Sequence, residues 1–232
     1  MIHIIMVAFN NPEQTVTRWR RDVLPGVLHT GLPYGVTVVD NSEKHSPLLA
    51  DTFGEDYLWQ EGKNLYYGGA INLAVPRLPS DLVIYACTNH GYMIDKSWVS
   101  DILAPLQNDP QVGAAGFLMG SNSPGGVAHD CKAPWIKDKF YFTHPDGTGH
   151  VPPHIQGGVF AARTDLMLKF PYPPDVMHSY TDHILTWEML RAGYKCVSVP
   201  SILSLWRRCA EPHELKGVKY LHDQSINCTR VE

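Results

Sequence analysis

The strongest constraint on the fold is a series of short β-branched runs, each stopped by polar turn formers and separated by helix-like segments. Residues 2–7 read Ile2-His3-Ile4-Ile5-Met6-Val7 and stop at Asn10-Asn11-Pro12. Such a run, bounded by turn residues, is a buried strand. Residues 13–24 then carry helical apolar spacing, with Asn11 placed to cap the helix and Pro12 at its first position. The next run, residues 36–39, ends at Asp40-Asn41-Ser42, and a further strand passes through Tyr57-Leu58-Trp59. Residues 68–74 open a short helix, residues 82–86 and 112–117 are central strands, and residues 97–106 form the helix between them. Alternation of this kind predicts an α/β chain with a mostly parallel central sheet flanked by helices. Polar residues at the carboxyl ends of its strands stand where open α/β sheets place ligands.

With 232 residues, 44% of them hydrophobic, the chain is long enough to bury one substantial core and short for two domains. Its formal net charge of −4 carries no global basic footprint of the kind nucleic-acid binders show. The amino-terminal residues lack a basic segment and a small-residue cleavage site, and no apolar run reaches the roughly 18 residues of a membrane span. A soluble, cytoplasmic protein is expected. Cys87, Cys131, Cys196, Cys209 and Cys228 are scattered without CxxC spacing, so neither a disulfide framework nor a zinc site is indicated.

Residues 120–153 change character to Gly, Pro, His and aromatics, among them Trp135, Phe140, Tyr141 and Phe142. A stretch this long with weak periodicity reads as a functional excursion or lid. Order returns with the small-residue strand Gly157-Gly158-Val159-Phe160-Ala161-Ala162, a helix beginning near Thr181-Asp182 and closed by Gly193, and a strand over residues 196–199.

Taken in order, Ala8-Phe9-Asn10, Val38-Val39-Asp40-Asn41-Ser42 and Gly62-Lys63-Asn64-Leu65-Tyr66-Tyr67-Gly68-Gly69-Ala70-Ile71-Asn72 resemble the nucleotide-binding half of family 2 glycosyltransferases with the GT-A fold, in a rhamnosyltransferase-like branch. Asn108-Asp109-Pro110-Gln111-Val112-Gly113-Ala114-Ala115-Gly116 resembles that family's strand after the metal motif, Gln156-Gly157-Gly158-Val159-Phe160 its sugar-facing strand, and Thr181-Asp182 with Arg191-Ala192-Gly193-Tyr194 its catalytic helix. The resemblance implies a GT-A domain over residues 1–205, with a nucleotide-binding half at about 1–118, an acceptor half at about 119–205 and a carboxyl-terminal segment at 206–232. It further implies a nucleoside-diphosphate sugar donor, UDP or dTDP linked, and an acceptor hydroxyl on a glycan, a protein, a small molecule or a modified nucleobase. A noncatalytic sugar-nucleotide or glycan-binding module of the same fold is the alternative.

Each segment also has its own chemistry. Asp40 can accept hydrogen bonds from a base or ribose, with Asn41 and Ser42 as donors, or it can close an Asx turn leaving a strand. Gly68 and Gly69 allow close backbone approach to a ligand, or merely tighten the loop before a helix, while Asn64 and Asn72 offer neutral amides. Gly157 and Gly158 leave room for a donor sugar, with Gln156 available to its hydroxyls; small residues there would equally permit tight packing.

Relatives of this kind keep Asp-X-Asp or Asn-X-Asp after the strand at 82–86 to hold Mn2+ or Mg2+ against the diphosphate. Here the segment reads Cys87-Thr88-Asn89-His90-Gly91, a degenerate form without a carboxylate. Hard Mg2+ prefers carboxylate oxygen, whereas the nitrogen of His90 suits Mn2+ better, so His90 is the candidate metal ligand of a weakened site. Arg207 and Arg208 could neutralise a diphosphate without metal. His213 and His222 are possible late ligands or ordinary surface histidines. Asp182 is the candidate general base: in an inverting displacement it would take the acceptor hydroxyl's proton, an effect worth about 10²–10⁴-fold. A carboxylate in a helix's first turn also stabilises the helix alone.

Overall fold

Strand β1 (Ile2–Ala8) is hydrogen bonded on one side to β2 (Tyr34–Asp40) and on the other to β4 (Leu82–Ala86), both parallel to it. The computed structural model describes residues 1–86, 96–119, 129–131, 142–143, 149–150, 154–172, 181–199 and 228–230. With β3 (Tyr57–Trp59), β5 (Val112–Met119), β9 (His154–Arg163) and β10 (Lys195–Ser198), these strands make a seven-stranded sheet of order β10-β5-β9-β4-β1-β2-β3. Within it β9 alone runs antiparallel, to β4 and to β5. The mostly parallel sheet expected from the alternation is therefore present, with the antiparallel β9 inserted between two of its parallel strands. Short strands β6 (His129–Cys131) and β11 (Cys228–Arg230) pair antiparallel, as do β7 (Phe142–Thr143) and β8 (Gly149–His150).

The pleat sends alternate side chains into two cores. Ile2, Ile4, Met6 and Ala8 of β1, with Ile84 and Ala86 of β4, meet α1 (Pro12–Arg18), α2 (Leu24–His29), α3 (Pro47–Phe53) and α5 (Trp98–Asn108) on one face. Ile5 of β1, Val83 and Tyr85 of β4, and Phe160 and Ala162 of β9 meet α4 (Tyr66–Ala74), α6 (Thr164–Lys169) and α7 (Thr181–Arg191) on the other. Both faces of the sheet are covered, which is why its strands read as continuous apolar runs.

Sequence spacing stops the first helix near residue 24, yet helical backbone continues to His29. A wide turn over Trp19–Val23, closed by the Leu24 amide on the Trp19 carbonyl, stands immediately before Pro25. The wider turn accommodates a residue that has no amide to donate. Asn11 caps α1 through the Gln14 amide with Pro12 in the first turn, as expected. Gly193, at φ +86°, ends α7 in a conformation that favours glycine.

Candidate functional site

The parallel strands deliver their carboxyl ends to one edge. Ala8 stands opposite Asp40, and Asp40 opposite Trp59. Strand β9 begins at this same edge, since Val159 pairs with Ala86 and His154 with Met119. Helix α7 leads into β10, which starts at the opposite edge where Lys195 pairs with Val112. Its first turn, with Asp182, therefore lies towards the carboxyl edge. One edge thus brings together positions 8–10, 40–42, 64–69, 156–158 and 182.

A hydrogen-bonded frame builds the first part of this edge. The Asn41 amide donates to the Ala8 carbonyl at 2.9 Å, and the Asn10 amide to Ser42 Oγ at 2.7 Å. Asn10 itself sits at φ +52°, a turn that asparagine tolerates better than most residues. Asp40 is wholly buried: Oδ1 accepts the Ser42 amide at 3.0 Å and Oδ2 accepts the Tyr57 hydroxyl at 2.7 Å. Tyr57 Oη accepts in turn from the Ser46 amide at 3.1 Å, and Trp59 Nε1 donates to the Ser42 carbonyl at 3.1 Å. Burial, reinforced by the Asp40 carboxylate, pushes the Tyr57 phenol up to about 12. The Asx turn is thus formed, and a ligand reaching for Asp40 would have to displace Tyr57.

Two other candidates are likewise engaged with main chain. Asn41 Nδ2 donates to the Tyr66 carbonyl at 3.0 Å and its Oδ1 accepts the Leu65 amide at 3.3 Å. Asn72 Nδ2 donates to the Tyr172 carbonyl at 2.7 Å while its Oδ1 accepts the Tyr172 amide at 2.9 Å. Asn64, exposed, accepts the Tyr66 amide at 2.8 Å, so Asn41 and Asn64 between them hold Tyr66 at φ +55°. That is a strained conformation for a bulky residue, and it stands at the amino end of α4, where Gly68 is buried and Gly69 half-buried. Phe9 is exposed at the edge, whereas Ala8 is fully buried in β1.

Beside this frame opens a cavity of about 450 Å³, lined by Asn10, Glu13, Ser42, Lys44 and His45 among others. The His45 ring meets Tyr57 and Trp59 edge-on, each at 5.4 Å between centroids. Sequence reasoning passed over Tyr57, Trp59 and His45. The alternation Tyr57-Leu58-Trp59 held the available signal, because period two puts both rings on one face of a strand.

In β9 the candidates Gln156, Gly157 and Gly158 occupy the amino-terminal part of the strand, with Gly158 buried. Asn89, His90 and Arg207 lie outside the described residues. Among the described residues no group of three or more His, Cys, Asp or Glu side chains could hold a metal ion, and no helix is long and apolar enough to cross a membrane.

No protein-family model matches the chain, and no curated protein sequence matches it. Solved structures do match its fold. The mannosyltransferase PcManGT from Pyrobaculum calidifontis, in complex with GDP-Man and Mn2+, is 16% identical with a TM-score of 0.57 over 85% of this chain and 54% of its own. Glucosyl-3-phosphoglycerate synthase from Mycobacterium tuberculosis, in complex with Mg2+ and UDP, is 14% identical with a TM-score of 0.53 over 86% of this chain and 69% of its own. A CMP:2-keto-3-deoxy-manno-octonic acid synthetase complexed with CTP is 14% identical with a TM-score of 0.51 over 96% and 98%. The present chain therefore spans about half the length of the mannosyltransferase. What the likeness establishes is the fold, one shared with a mannosyltransferase, a glucosyl-3-phosphoglycerate synthase and a CMP-sugar synthetase.

Proposed function

We propose that this chain transfers a sugar from a UDP- or dTDP-linked donor to an acceptor hydroxyl, with inversion, and that Asp182 removes the hydroxyl proton. The observation that carries this reading is the gathering of positions 8–10, 40–42, 64–69, 156–158 and 182 at one sheet edge, in a fold shared with a mannosyltransferase and a glucosyl-3-phosphoglycerate synthase. The nucleoside lies over the ends of β1 and β2, among Phe9, Asn10 and Ser42. Its diphosphate passes the amino end of α4, beside the half-buried Gly69. The sugar rests against residues 156–158.

As the acceptor oxygen attacks the anomeric carbon, its proton passes to the Asp182 carboxylate and the bond to the diphosphate breaks. The segment at 87–91 is a degenerate metal motif, and Arg207 with Arg208 meets the leaving-group charge. Nucleotidyl transfer, the class suggested by the CTP-bound neighbour, is disfavoured because Ala8-Phe9-Asn10-Asn11-Pro12 is not a glycine-rich, lysine-bearing loop.

A thermal-shift panel of UDP, dTDP and GDP sugars, each with Mn2+ and with a chelator, tests the donor site. A ligand at 100 times its Kd should stabilise the fold by about 2.7 kcal/mol. Stabilisation by a UDP or dTDP sugar that survives chelation, followed by release of the nucleoside diphosphate on adding acceptors, supports the reading. Binding without release would make the chain a sugar-nucleotide-binding module instead.

A further inference from the structure

Strand β9 loses register with β5 at the carboxyl edge. Between the pairs Leu118 with Ile155 and Gly116 with Phe160, β5 contributes Phe117 alone, whereas β9 contributes Gln156, Gly157, Gly158 and Val159. A surplus of this kind bends a strand out of the ladder and re-aims its backbone, and it recurs beside active sites. At the start of the surplus, the Ile155 amide donates to Thr186 Oγ1 at 3.0 Å in a buried hydrogen bond.

Thr186 belongs to α7 and is itself buried; Ile155, Leu185 and Met189 share the core around it. It follows Asp182 by four residues, so the two positions fall on the same side of the helix. The Thr186 hydroxyl therefore joins the irregular segment of β9 to the helix turn that succeeds Asp182.

We propose that Thr186 is a positioning residue: its hydroxyl fixes the spacing between the backbone at 156–158 and the helix backbone that carries Asp182. This rests on the reading of those two segments as the sugar-facing strand and the general base. Threonine suits the task because its branched side chain is stiff and its oxygen accepts an amide that the broken register would leave without a ladder partner. Valine preserves the shape and removes the acceptor; serine preserves the acceptor.

The test compares Thr186→Val and Thr186→Ser with the unaltered chain in three measurements: UDP affinity by calorimetry, kcat and KM for UDP release from UDP-glucose, and amide exchange at Ile155. Displacement of a reacting group by about 1 Å costs on the order of 100-fold, so kcat should fall at least about tenfold in Thr186→Val and recover to within about threefold of the unaltered chain in Thr186→Ser. UDP affinity should stay within about twofold in both, and Ile155 should exchange faster in Thr186→Val alone. An unchanged kcat in Thr186→Val, an equal loss in both variants, or a parallel loss of UDP affinity would overturn the proposal. Should the unaltered chain release no UDP, UDP-glucose is not its donor, the donor panel with acceptors judges the functional reading, and exchange at Ile155 still judges the tether. Faster exchange confined to Thr186→Val upholds it, and unchanged exchange removes it.

Discussion

The Tyr57 hydroxyl donates to the Asp40 carboxylate at 2.7 Å, closing the polar end of β2 from a strand one place further out in the sheet. The pair converts a surface acceptor into a buried one, and the same phenol anchors the Ser46 amide at the head of α3. Replacing Tyr57 with Phe leaves both groups without this partner. Tyr57→Phe should cost about 1–3 kcal/mol in urea denaturation and, by opening Asp40, change affinity for UDP.

The phenol's titration adds a pH signature. Its folded pKa of about 12 stands above the ordinary 10.0, so the folded state holds this proton more tightly than the unfolded chain does. The resulting stability is complete below pH 10 and is lost as pH rises through about 12. Denaturation midpoints should fall more steeply over that window in the unaltered chain than in Tyr57→Phe.

His3 predicts the opposite slope at acid pH. Its ring is buried, with Nε2 at 2.9 Å from Thr37 Oγ1, and burial lowers its pKa below 6.5. The unfolded chain therefore takes up the proton first, and this stability, present above pH 6.5, is lost as pH falls through the folded pKa. His3→Gln should flatten the dependence of the urea midpoint on pH below 6.5.

Gly26 is fixed by a close approach. A Cβ there would fall 2.1 Å from Trp98 Nε1 and 2.7 Å from Cδ1, and that indole donates to the Asp22 carbonyl at 3.2 Å. Trp98 is almost wholly buried and has no room to retreat. Gly26→Ala should destabilise by about 3 kcal/mol, read as a fall in Tm, through overpacking and a lost hydrogen bond.

Two substitutions separate framework from chemistry at the candidate site. Asn72→Ala removes both hydrogen bonds to the Tyr172 main chain and should cost about 2 kcal/mol while moving UDP affinity little. Asp182→Asn should leave stability and UDP affinity nearly intact and cut sugar transfer by about 10²–10⁴-fold. Denaturation, calorimetry and turnover on the same two variants decide both expectations.

Most of the sheet was legible because it is covered on both sides, so β1, β2, β4 and β9 spell out apolar runs whose period-two alternation feeds two cores. Helix α3 escaped notice although Ser46 caps it and Pro47 opens it, because its seven residues carry too little pattern. The Asx turn at Asp40 was one of its two readings, but its second partner was illegible for a different reason. Its partner Tyr57 lies 17 residues away, and only the pairing of β2 with β3 brings them together. Asn41 and Asn72 follow the same logic: an amide bound to main chain and an amide awaiting a ligand are the same letter in a sequence. The wide turn before Pro25 reflects a local compromise that apolar spacing does not record.

The position of β9 also sets an order of assembly. Within the sheet, β5 has only β9 and β10 as neighbours, and both come later in the chain. During synthesis β1 to β4 can pair among themselves as they emerge, whereas β5 has no sheet partner until residues 154–163 have left the ribosome. Until then the apolar segment Val112, Ala114 and Ala115 is an unpaired edge, open to association with other chains. The strand that runs against the rest is thus the latch on which the two halves of the sheet wait to be joined.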